Sequence, residues 1–205
     1  MGLFGRKNSS TPTSAAPAAL AEADPALAAL SGTYTIDPAH TRIGFVVRHA
    51  MVTNVRGSFS ESEGTLTLDG ANPANSTASI DLKIASIDTG IADRDAHLRG
   101  ADFFDAEQFP VMSFRSTGAK ALGGDKYQLT GDLTIKDVTR PLAIDVEFNG
   151  TATDPYGNQR IGFEGGTEIR RSDWGLTWNA ALETGGVMVS DKVKLTLDVS
   201  AIKAA

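Results

Sequence analysis

Residues 191–202 read "DKVKLTLDVSAI", with Val193, Leu195, Leu197 and Val199 at every second position and Lys192, Lys194, Thr196 and Asp198 between them. Side chains of a β-strand point alternately to its two faces, so this period of two gives one apolar and one polar face. A helix of the same sequence would scatter its apolar residues around the axis. Six further runs repeat the pattern. They are "RIGFVVRHA" (42–50), "GTLTLDG" (64–70), "ASIDLKIAS" (78–86), "KYQLTGDLTIKD" (126–137), "PLAIDVEFNG" (141–150) and "RIGFEGGTEI" (160–169). Their shared-face residues include Ile43, Phe45 and Val47, then Ile80 and Leu82, Leu129 and Leu133, and Ile144 and Val146. Turn chemistry separates the runs, as in "LDGANPANS", "LGGDK", "DPYGNQ" and "ETGG". The spacing predicts an all-β fold of about eight antiparallel strands. The pattern alone fits a closed barrel or a filled sandwich equally; a barrel removes exposed sheet edges and has room for one small ligand.

One segment breaks the alternation: "DRDAHLRGADFFDAEQFP", residues 93–110. Asp93 is positioned as a helix N-cap, Arg94, His97, Leu98 and Ala101 fall at helical spacing, and Gly100 can end the helix. A second compact turn, "DFFDAEQF", stops at Pro110. The prediction is a short amphipathic helical insertion that lays Leu98, Phe103, Phe104 and Phe109 on an apolar surface at one end of the barrel. "DVTRPL" (137–142) reads as a hairpin turn with Arg140 fixed before Pro141.

Composition narrows the function. The 205 residues carry 19 Lys and Arg against 25 Asp and Glu, a net charge of −6, which argues against a general nucleic-acid binder. There is no cysteine, hence no disulfide, thiolate nucleophile or cysteine-ligated metal. No run approaches the ~18 apolar residues of a membrane-spanning helix. Residues 1–32 read as a disordered and then alanine-rich extension, with Asp24 and Pro25 opening a turn, and residues 33–205 as one barrel domain. Arg6 and Lys7 are followed by "NSSTPTS" rather than an apolar signal core, so the expectation from this reading is a cytoplasmic protein. Leu3 and Phe4 beside that basic pair allow a weak, transient membrane contact, though a solvated tail is favoured.

Catalytic signals are sparse. The three histidines, His40, His49 and His97, match no zinc spacing. His40 reads as a hydrogen-bonding group beside a proline turn and His49 as a satisfied core histidine. His97 shares a turn with Arg94 near Phe103 and Phe104, and stands between a head-group contact and a salt-bridge network with neighbouring aspartates. "RRSDWG" offers Ser172 and Asp173 without an evident histidine partner and reads as a turn with a Trp174 anchor.

Four blocks, taken in order, resemble the YceI-like family of bacterial lipid- and polyisoprenoid-binding proteins. They are "YTIDPAHTRIGFVVRHAMVTNVRGSF", "RDAHLRGADFFDAEQFPVMSF", "LTGDLTIKDVTRPLAIDVEF" and "RSDWGLTWNAALETGGVMVSDKVKLTLDV". Lys136-Asp137 stands where that family often has His-Gly, and Arg170 where it often has Asn. The resemblance implies an extended, lipocalin-like barrel of eight antiparallel strands holding a long isoprenoid, quinone tail or fatty-acid derivative, without a cofactor. It favours Trp174 and Trp178 as cavity residues and allows a homodimer. The ligand set expected is Phe45, Val47, Ile80, Leu82, Leu98, Phe103, Phe104, Leu129, Leu133, Trp174 and Trp178 around the chain, with Arg94 and His97 at the head group. The competing reading is a lipid-modifying enzyme, or a haem or redox protein, that uses His97 in the same cavity.

Overall fold

The computed structural model describes residues 25–183 and 185–204. Residues 1–24, on which the readings of signal, tail and Asp24 cap rest, lie outside them. A single helical turn, α1 (Pro25–Ala28), precedes eleven strand segments. These are β1 (Gly32–Ile36), β2 (Arg42–His49), β3 (Thr53–Phe59), β4 (Ser62–Leu68), β5 (Thr77–Lys83), β6 (Ile87–Asp88), β7 (Val111–Gly123), β8 (Lys126–Ile135), β9 (Val138–Thr153), β10 (Gln159–Arg170) and β11 (Val189–Lys203).

The eleven segments make eight long strands, because three of these are kinked. β1 and β2 lie one after the other along the same edge of β11, where Ile36 faces Ala201 and Phe45 faces Leu195. The 3-10 turn Pro38–His40 divides them, capped by the Asp37 carboxylate. β3 pairs with β2 and β4 with β1, and likewise β5 pairs with β4 and β6 with β3 across the 3-10 turn Ile84–Ser86. β7 to β11 then follow as antiparallel neighbours, and β11 meets β1 to close the ring. This is the closed eight-stranded antiparallel barrel, and the sandwich alternative falls away. The alternation holds around it because inward side chains bury themselves in the interior, in one large cluster about Phe59, Phe114 and Leu133 and a smaller one about Tyr34, Ile161 and Ala201.

Local details differ from the sequence pattern. β7 carries no clean alternation, since Ser116, Gly118 and Ala119 occupy its upper half and its register shifts between Ser116 and Gly118. The hairpin between β8 and β9 is the two-residue turn Lys136-Asp137, with Lys136 at φ 58°. "DVTRPL" therefore gives only Asp137 to the turn; Val138 to Leu142 are strand, and Pro141 faces Asp132 inside the ladder. His49 is exposed, not buried, because β2 runs beyond the core into the hairpin to β3.

Between β6 and β7 the ladder is interrupted, and the 93–110 segment sits there. Its helix, α2 (Ala92–Arg99), begins one residue before Asp93. Ile91 takes the cap position without a side-chain bond, after Gly90 turns the chain at φ 79°. The buried Asp95 instead reaches back to accept the Thr89 backbone N–H at 2.9 Å. Gly100 ends the helix as the sequence predicts. Phe103 is buried and Phe104 packs edge-on to Phe59 at 6.1 Å, so the segment plugs this end of the barrel. Phe109 lies apart, under the Lys136 ammonium at 5.7 Å.

Candidate functional site

The barrel interior holds two apolar cavities placed end to end. One, of about 160 Å³, lies toward α1 and is lined by Leu66, Leu129, Phe148, Phe163 and Val199 among others. The other, of about 150 Å³, lies toward α2 and is lined by Phe45, Leu82, Phe103, Phe104, Met112 and Leu133 among others. Five residues line both: Ile43, Ile80, Phe114, Ile144 and Leu197. They form a waist of side chains from β2, β5, β7, β9 and β11.

Small residues make room for the large rings. Phe45 on β2 faces Gly57 on β3, and a Cβ at Gly57 would overlap the Phe45 ring. Gly131 on β8 gives the Phe114 ring the same clearance. The cavity walls therefore depend on glycines at inward strand positions, where a side chain would push an aromatic into the chamber.

Each end has one charged lining residue among the described residues. At the α1 end it is Asp69, whose carboxylate accepts from the Ala71 and Asn72 backbone at 3.1 and 2.9 Å and from Asn75 Nδ2 at 2.8 Å. The Asn75 side chain, followed by the Asn72 N–H, holds the Asp69 carboxyl below its ordinary value. At the α2 end it is Arg171, only 6% exposed. Its guanidinium donates to the carbonyls of Ser190, Leu176, Trp178 and Val189. Arg171 opens the 3-10 turn Arg171–Trp174 that follows β10, and Gly175, at φ 74°, ends that turn. Burial lowers its pKa from the usual arginine value.

Of the residues singled out in the sequence, Phe45, Val47, Leu82, Leu98, Phe103, Phe104 and Leu133 line the α2-end chamber. Leu129 lines the α1-end chamber and Ile80 lines both. Trp174 and Trp178 line neither chamber. Trp174 is buried in the adjoining core and donates its indole N–H to the Leu133 carbonyl at 3.0 Å. Trp178 packs edge-on to His97 at 4.7 Å. Arg94 also lies outside both chambers and is spent on Thr89, its Nε donating to Oγ1 at 2.7 Å and Nη2 to the carbonyl at 2.8 Å. His97 bonds Asp102 at 2.9 Å and stands between the Phe103 and Trp178 rings. His40 hydrogen-bonds Asp37 at 2.7 Å, as its position beside a proline turn suggests. Arg171 was hidden in "RRSDWG", where a charged pair looks like a solvated turn. Phe148 and Phe163 were legible only as members of an apolar face, and Phe59 was not singled out at all.

The leading and trailing chemistry of the site is thus hydrocarbon contact, with one carboxylate and one guanidinium at opposite ends. No group of three or more metal-ligating side chains occurs among the described residues.

Comparison with known proteins agrees with this architecture. A family model described as the YceI-like domain matches residues 34–201. A UPF0312 protein of Azotobacter vinelandii is 38% identical over 150 residues, covering 72% of this chain and 78% of the relative. BcnA of Burkholderia cenocepacia superposes with a TM-score of 0.71 at 25% identity, over 80% of this chain and 98% of that one. A polyisoprenoid binding domain from Saccharophagus degradans, implicated in plant cell wall breakdown, shares the fold with a TM-score of 0.64 at 16% identity, over 83% and 98% of the two chains. From the barrel, its paired chambers and the match over residues 34–201, the chain belongs to the YceI-like family.

Proposed function

We propose that the protein is a non-catalytic binding protein that holds one long apolar ligand, such as a polyisoprenoid, a quinone tail or a fatty-acid derivative, along the barrel axis. The observation that carries this reading is the pair of apolar chambers joined at a waist of five side chains. A long hydrocarbon matches that shape better than a compact ligand does, because it fills both chambers and threads the waist. Each methylene moved from water into such a chamber contributes roughly 0.8 kcal/mol before ordering costs. The polyisoprenoid binding domain from S. degradans, which has the same fold, supports the ligand class.

The enzyme and haem readings both turn on His97 facing the ligand. Its ring lies outside both chambers and is engaged by Asp102, Phe103 and Trp178, so no observation favours either. The test is organic extraction of protein purified from its native host, followed by mass spectrometry. An intact long-chain lipid in stoichiometric amount is expected. Loss of the reading would follow from protein that carries no lipid and fails to bind a fluorescent fatty-acid probe.

A further inference from the structure

Arg171 poses a problem of charge. A guanidinium has five N–H donors and stays protonated inside proteins. Here Nε donates to the Ser190 carbonyl at 3.0 Å, Nη1 to the carbonyls of Leu176 and Trp178, and Nη2 to that of Val189 at 3.3 Å. Those four acceptors are neutral. They satisfy four hydrogens and leave one on Nη2, and none of them brings negative charge. No carboxylate lies within ion-pair distance among the described residues. Asp191 attracts Arg171 from beyond that distance, while it accepts from the Ser172 backbone N–H at 3.0 Å and approaches Arg170 at 3.8 Å.

A buried cation with no ion-paired carboxylate is costly to hold. This one lines a chamber whose other walls are hydrocarbon, glycine and Ser113. We infer that the Arg171 guanidinium receives the anionic head, a carboxylate or phosphate, of a single-chain amphiphile whose tail runs through the waist toward α1. This rests on the long-chain reading above and adds the head-group class and the ligand's direction. Two independent features agree on that direction. The spare Nη2 donor and a cation with no ion-paired carboxylate stand at the α2 end, and the Asp69 carboxylate stands at the other. An anionic head is attracted at the first and repelled at the second. Arg94 and His97, nearer the surface, are already engaged by Thr89 and Asp102.

The experiment compares four ligands with the same chain: palmitate, hexadecyl phosphate, hexadecanol and methyl palmitate. Each displaces a fluorescent fatty probe from the wild-type protein. The two anions should bind at least about tenfold tighter than the alcohol and ester, a difference of about 1.4 kcal/mol. Palmitate labelled with carbon-13 at its carboxyl should also titrate, when bound, below its value in detergent micelles. Arg171→Lys, checked by thermal melting for folding, should narrow the anion preference while all four ligands still bind. Equal affinity for all four in wild type, or an undiminished preference in a folded Arg171→Lys variant, would overturn the inference and leave the long-chain reading standing. If none of the four binds, both fall. If the Lys variant does not fold, the wild-type series and the carboxyl titration decide the matter.

Discussion

The Trp174 indole N–H donates to the Leu133 carbonyl at 3.0 Å, joining the turn after β10 to the C-terminal part of β8 across 41 residues of chain. Both residues are buried, at 3% and 6% exposure. Leu133 also lines the α2-end chamber, so this bond fixes a cavity wall from behind. Trp174→Phe keeps an aromatic ring but removes the donor and leaves part of a pocket unfilled. It should cost about 1–2 kcal/mol in urea unfolding, for one lost hydrogen bond and the space left by the smaller ring. Probe affinity should fall less than stability, because the indole itself touches no ligand space.

At the α1 end, Arg160 links Asp37 to Asp154, with Nε donating to Asp154 at 2.8 Å. The Asp154 carboxyl is held well below the carboxylate range, first by the Asn158 side chain and then by backbone N–H groups and Arg160. Asp37 is lowered chiefly by its bond to Arg160. Both folded values lie below the unfolded value of about 3.9. Their stabilisation is therefore present above about pH 4 and lost as pH falls through the folded values. Unfolding free energy measured from about pH 6 down to about pH 2.5 should drop more steeply in the wild type than in Asp154→Asn, whose amide cannot be protonated in this range. Parallel curves would show that the network does not control acid sensitivity.

The barrel was readable where alternation is written in polarity. Ile43, Phe45, Val47, Leu129, Leu133, Ile144 and Leu197 all face inward as their period of two requires. It was obscured where inward positions hold small residues, as at Ala119 of β7 and Gly131 of β8, or where 3-10 turns break a strand, as at Pro38–His40. His97 and Arg94 were chosen because they neighbour two phenylalanines in sequence, yet partners in their own segment take up both side chains. Arg171 needed the fold to be seen. Its acceptors come from residues 176, 178, 189 and 190, a loop and strand whose approach no local pattern encodes.

His97 gives a direct contrast with Arg171. The His97–Asp102 pair is largely solvent-exposed, at 43% and 56% of the side chains. Such pairs are worth at most about 1 kcal/mol. The His97 ring also touches Phe103 and Trp178 edge-on, at 5.1 and 4.7 Å. His97→Ala should lower stability by about 1 kcal/mol through lost packing. It should leave the ratio of palmitate to hexadecanol affinity unchanged. A changed ratio with unchanged stability would move the head group to the α2 surface.

The segment 25–31 does more than precede the barrel. Leu27 and Leu30 line the α1-end chamber, the Tyr34 hydroxyl donates to the Leu30 carbonyl at 2.8 Å, and the Gly70 N–H donates to Ser31 Oγ at 3.0 Å. Tyr34 is 1% exposed, and burial raises its pKa. This short turn therefore covers the mouth through which a tail would leave. Removing residues 1–24 should change neither melting temperature nor probe release. Removing residues 1–31 strips two leucines from the chamber wall and leaves the Tyr34 hydroxyl without its acceptor. It should cost about 1–2 kcal/mol of stability and speed probe dissociation several-fold, measured by stopped-flow dilution against excess unlabelled palmitate. Association should quicken as well, since the same turn blocks entry. If both truncations release the probe at the wild-type rate, the α1 end is not the exit, and the ligand must leave past Phe103 and Phe104 at the other end.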